Sequence, residues 1–210
     1  MKKLLALLFS FLLLSSTSVF ADDISDFSIE GISIGDSLLD YMTEDEILKE
    51  IERTKNHYSH LQEPNKYAEV YLLKDFPTYE DGISVLVKNN SVNKYISNKN
   101  EKYIILKVRG MMSYIEDFDS CIQKRDEIAE VISGMFPNIQ KEEYSYSHSV
   151  DPSGKSMKYD VDFTFNSEDI IEVSCDNFEE NLRIKNNWTE GLNIVIRSAE
   201  SNKWYYNKKK

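Results

Sequence analysis

The sequence predicts an α+β fold: antiparallel sheet, in one or more sheets, with one main amphipathic helix packed on the apolar face and a short N-terminal helix. Three observations carry this prediction. Residues 117–136 repeat apolar side chains with the helical period, whereas a series of short windows alternates them with the strand period. Between the windows of the second half stand short polar segments, and strands that adjoin in sequence usually pair antiparallel.

In chain order, a short strand is expected over residues 27–34, followed by a turn at Gly35 and Asp36. "TEDEILKEIERTK" then opens with Thr43 and, three residues on, Glu46, the capping-box signature of a helix start. "KYAEVYLL", "GISVLVK" and "KYIILKV" are rich in Val, Ile, Leu and Tyr and predict three strands. The Asn-rich stretch 89–103 is a loop candidate. It leaves two organisations open, one domain over residues 22–210 or two lobes dividing near 89–115. From Asp117, the positions Phe118, Cys121, Ile122, Arg125, Ile128, Ala129, Ile132, Met135 and Phe136 form one helical stripe that ends near Gly134 and Pro137. "KEEYSYSHSV" and "MKYDVDFTF" predict two half-buried strands, the second with Tyr159, Val161, Phe163 and Phe165 on one face. "DIIEVSC" and "LNIVIRS" predict two more, separated by the polar segment 176–191.

"DPSGKS", residues 151–156, contains the Gly-Lys-Ser of a phosphate loop. The spacing that such a loop needs would put its first glycine at position 149, which is Ser149. No buried strand precedes the motif and no helix follows it. Asp151, Pro152 and Gly154 instead suit the first, second and fourth positions of a type I turn, so the segment reads as a hairpin.

The first 21 residues, "MKKLLALLFSFLLLSSTSVFA", have a basic start, an apolar run too short to span a bilayer, and small residues leading to Ala21. A secretory signal peptide cleaved after Ala21 is expected, with no lipoprotein anchor because no cysteine is near. The mature chain is expected to be soluble, periplasmic or secreted. The whole chain carries 25 basic and 36 acidic side chains, and loss of Lys2 and Lys3 moves the net charge from −11 to −13. Such a chain repels nucleic acid and anionic lipid surfaces. The basic cluster at 208–210 reads as a solvated tail.

The only two cysteines lie on core-facing positions, Cys121 on the helical stripe and Cys175 in phase with Ile171 and Val173. In an oxidising compartment this pair predicts a disulfide tying helix to sheet. The absence of C-x-x-C argues against redox catalysis.

The segments "IEGISIGDSLLDYMTEDEI", "CIQKRDEIAEVISGMF", "DPSGKSMKYDVDF" and "EVSCDNFEENLRIKNNW" resemble a family of short exported bacterial proteins of unassigned function, over most of the mature chain. That family often has an aspartate and a tryptophan after the second cysteine, where this chain has Asp176, Asn177 and Phe178. The resemblance implies no activity and no catalytic residues.

Candidate chemistry is sparse. His57 and His60, three apart at the end of the first helix, could hold zinc only with two further ligands, and a solvated helix end is the simpler expectation. His148 could serve a Ser-His-Asp arrangement, yet no nucleophile elbow is present. Asp160, Asp162 and Glu172 fall on the polar side of their strands. Matching the apolar faces leaves two registers, one setting Asp162 against Glu172 and one setting Ser174 there. The first is a like-charge pair that needs a base or a bound cation to relieve it, and a solvated acidic face is the plain expectation. Tyr144, Tyr146, Tyr159, Phe163, Phe165 and Trp188 serve either the core or a groove, with the core expected for most. No cofactor or metal motif is found. These observations lead to a non-catalytic binding or interaction module of the cell envelope, its partner a small molecule, peptide or envelope protein. A small envelope hydrolase using carboxylates or His148 is the alternative.

Overall fold

Seven extended segments form the frame: β1 (Tyr67–Leu72), β2 (Ile83–Lys88), β3 (Ile105–Ser113), β4 (Gln140–Ser147), β5 (Met157–Thr164), β6 (Ile170–Asn177) and β7 (Gly191–Arg197). In this computed structural model, which describes residues 24, 27–56, 66–72, 76–89 and 98–207, they pair throughout as antiparallel neighbours. The sheet order is β1-β2-β3-β7-β6-β5-β4. Two meanders, β1 to β3 and β4 to β7, thus join edge to edge where β3 pairs with β7 from Lys107↔Arg197 to Ser113↔Gly191. Residues 1–21, His57, His60 and residues 208–210 lie outside the described residues.

Register explains the core. Val70, Val85, Val108, Ile196, Ile171 and Phe163 stand on one line across six strands, each partnered with the next, and all are buried. Two helices cover this apolar face. α1 (Glu44–Thr54) starts at the expected capping box, with Thr43 and Glu46 each bonding the other's backbone, and lies on β1. α2 (Phe118–Met135), capped by Asp117, lies on β5, β6 and β7 and buries Cys121, Arg125, Ala129 and Ile132. Cys121 Sγ and Cys175 Sγ are 2.00 Å apart, the distance of a disulfide, and join α2 to β6.

Several expectations need correction. Residues 27–34 do not form a strand. Glu30 and Gly31, at φ 52° and 76°, fold the stretch back so that only a single bridge, Ile29↔Ile32, remains. The third strand starts later and runs further than 102–108, because Tyr103 sits at φ 49° and interrupts the extended backbone. At its far end Gly110, which has no side chain, leaves room for the Tyr79 ring. The strand predicted over 141–150 ends at Ser147 and is exposed on both faces rather than half-buried, since it is the sheet edge. Two helices were not anticipated. α3 (Glu180–Asn186) occupies the polar segment before β7, and α4 (Ala199–Asn207) follows β7.

The β4–β5 connection is the expected hairpin turn. Gly154 N–H donates to Asp151 O at 3.1 Å, while the Asp151 carboxylate accepts from the Ser153 and Ser156 amides and the Ser156 hydroxyl. No helix follows Gly-Lys-Ser, so the segment lacks the anion site of a phosphate loop. Among the described residues, no helix is long and apolar enough to cross a membrane.

Candidate functional site

The sheet's second face is polar because the strand period carries Glu69, Lys107, Arg109, Asn193, Arg197, Glu172, Ser174, Asp176, Lys158, Asp160 and Asp162 to the side opposite the core. A bulge modifies the pattern. Leu86 pairs with Lys107 and Val87 with Ile105, so Leu106 is the extra residue on β3. It packs on the polar face with Tyr67 and Leu86, against Trp204 of α4. α4 thereby walls one end of the face, held by Ala199 N–H donating to Asp169 at 2.6 Å and by Ser201 Oγ donating to Leu106 O at 3.2 Å. The other end is walled by aromatic rings, His148 lying 5.1 Å from Phe178 and Phe178 5.0 Å from Trp188. Between the walls is a cleft of about 670 Å³.

The expected solvated acidic face is not what the structure places here. Asp160 is 2% exposed and Glu172 6%. The register is the one that sets Asp162 against Glu172, with Ser174 opposite Asp160. Bases relieve the like charges: Lys158 Nζ is 2.6 Å from Glu172 and 3.3 Å from Asp160, and Arg197 pairs with the second Glu172 oxygen. Tyr144 O–H donates to Asp162. Among the described residues, no three His, Cys, Asp or Glu side chains are grouped to hold a metal.

The environments drive the carboxyl groups apart. Burial pushes Asp160 up, to about 6, aided by the Glu172 charge and opposed by Lys158. Burial acts on Glu172 in the same direction, but Arg197 and Lys158 together outweigh it and hold the group well below the usual carboxylate range. Asp162 and Asp176 are raised, each chiefly by burial. Lys158 is raised despite burial because Glu172, Asp160 and Asp176 surround it.

Of the four candidates from the sequence, Glu172 and His148 line the cleft. Asp160 and Asp162 belong to the same charge network on the side toward β4, where Tyr144 and Tyr146 stack at 5.9 Å and stay exposed. Phe163 and Phe165 are core residues, whereas Trp188 lines the cleft. Sequence reasoning missed the basic floor, Lys107, Arg109, Lys158 and Arg197, together with Asn193 and Trp204. Strand alternation in "LKVRG" and "LNIVIR" signals their face, but only the β3–β7 pairing brings them together.

The molecule is therefore an α+β protein with a helix-covered apolar face and an open, charged cleft on the opposite face of one sheet. Comparison with protein-family models, with curated proteins and with solved structures finds no match to this chain.

Proposed function

We propose that the protein is an exported, non-catalytic binding module of the cell envelope that takes a small polar ligand in this cleft. The observation that carries the proposal is the construction of the cleft, a charged floor between aromatic walls, which suits orientation of a ligand by a few polar contacts and burial of its remaining surface. The hydroxyls on the floor are engaged: Ser201 donates to backbone carbonyls, and Ser174 donates to Glu172, a carboxylate that Lys158 and Arg197 hold ionised and make a poor general base for activating a nucleophile.

The hydrolase reading draws on one observation, the separation of Asp160, raised to about 6, from the ionised Glu172. Against it, Asp160 is almost wholly buried and outside the cleft lining, so its proton is not presented to a ligand there.

The protein has two tryptophans, Trp188 and Trp204, and both line the cleft. Intrinsic fluorescence of the mature protein therefore reports occupancy directly. Titration with panels of amino acids, sugars and short peptides is expected to give a saturable change for at least one class without turnover of the ligand. Turnover would favour the hydrolase, and an unchanged spectrum throughout would overturn both readings. Export is tested by the intact mass of the secreted chain, expected to begin at Asp22.

A further inference from the structure

Within this cleft reading, on which the inference rests, we propose that the ligand is a zwitterion of the α-amino acid class, its carboxylate bound by Arg109 and its ammonium by Asp176. Arg109 is the one base of the floor that forms no ion pair among the described residues. Lys107 pairs with Glu69 at 2.9 Å, while Lys158 and Arg197 pair with Glu172. Arg109 is instead clamped in place by a neutral group, donating from Nε at 2.8 Å and Nη2 at 2.6 Å to the Asn193 side-chain oxygen. A guanidinium has five N–H donors in a fixed fork. Nη1 remains for an anion, and planar carboxylates match that fork.

The same carboxamide fixes the opposite charge. Asn193 Nδ2 donates to Asp176 Oδ2 at 2.8 Å, while Asp176 Oδ1 has no hydrogen-bond partner among the described residues. Asp176 is 7% exposed and lines the cleft. A buried carboxylate oxygen left unsatisfied is costly, and a cationic donor relieves it. Asn193 thus holds a positive and a negative group one carboxamide apart. That spacing suits a ligand whose carboxylate and ammonium are separated by a single carbon, with a hydrogen bond added at each end. Peptides longer than a few residues set their two termini too far apart to meet both groups. Trp188 and Trp204 at the ends of the cleft favour an apolar ligand side chain over a charged one.

The test uses the mature protein and tryptophan fluorescence, with L-leucine, N-acetyl-L-leucine and L-leucinamide as probes. Leucine is expected to bind, and removing either charge is expected to weaken binding at least about tenfold, the effect of one hydrogen bond to a charged group. In Asp176→Asn the difference between leucine and its N-acetyl derivative should shrink. In Arg109→Gln the difference between leucine and leucinamide should shrink, and thermal melts establish that each variant is folded. Equal binding of all three probes, or tenfold differences unchanged in both folded variants, would overturn the zwitterion proposal. Binding of a neutral sugar but of no amino acid would overturn it and leave the cleft reading standing. A silent spectrum with every probe and panel would remove both.

Discussion

Asp162 on β5 stands directly opposite Glu172 on β6, two acids in register on the polar face of the sheet, with Lys158 and Arg197 paired to Glu172 and Tyr144 bonded to Asp162. Glu172 is the hub, because both bases converge on its two oxygens. A buried hub of this kind is costly to break, since removal of the carboxylate leaves two largely buried cations without their shared partner.

Glu172→Gln keeps the shape and removes the charge. It is expected to lower unfolding stability by about 3 kcal/mol, within the range for breaking a buried ion pair. Urea denaturation at an unchanged m-value is the measurement. A loss below about 0.5 kcal/mol would show that Lys158 and Arg197 reach solvent without cost.

Asp160 has the opposite sign. Its folded carboxyl is raised to about 6 from the usual 3.8, so its contribution to stability is fully present below about pH 4 and is lost as pH rises through about 6. Asp160→Asn should therefore stabilise the protein at pH 7 by about 1 to 3 kcal/mol, an advantage that fades as the pH falls toward 4. Parallel pH dependences for wild type and variant between pH 4 and 7 would contradict this.

The Cys121–Cys175 disulfide spans a separation of 54 residues and crosses from α2 to β6. Replacing both cysteines with alanine is expected to cost about 2 to 5 kcal/mol. Thiol counting on the unfolded, unreduced protein should find no reactive group, and two reactive thiols per chain would refute the bond.

Two glycines should respond in opposite directions. A Cβ on Gly191 would meet Met112 O at 2.3 Å and Tyr114 N at 2.7 Å, at a backbone φ of 147°, so Gly191→Ala is expected to destabilise the β3–β7 junction by about 3 kcal/mol. A Cβ on Gly134, in α2, meets nothing within 4 Å, and Gly134→Ala should stabilise by about 0.5 to 1 kcal/mol through helix propensity. Thermal melts of the two variants should move in opposite directions.

Local signals were legible where one segment suffices to state them. The Thr43–Glu46 capping box, the α2 stripe, the Asp151–Gly154 turn and the inward phase of Cys121 and Cys175 each depend on spacing within a single element. α3 escaped detection because none of its residues is buried, leaving no apolar stripe to read. α4 and Trp204 escaped because their apolar contacts are with Tyr67, Leu86 and Leu106, far away in the chain and partly displayed by a bulge.

What the sequence determined by itself was the type of the seven strands and of the two helices that cover the core, the core-facing phase of most strands and the pairing of the two cysteines, since period and side-chain polarity are properties of a few consecutive residues. The tertiary structure decided the rest. Alternation assigned Arg109, Asn193 and Asp176 to a polar face, but their separation depends on β3, β7 and β6 being neighbours in that order. The acids were legible as charges and not as buried charges. Asp160 and Glu172 are buried beside Lys158 and Arg197, groups that β5, β6 and β7 bring together, and Glu172 and Asp176 line a cleft bounded by Trp188 and by Trp204 of α4, contacts that no local pattern encodes.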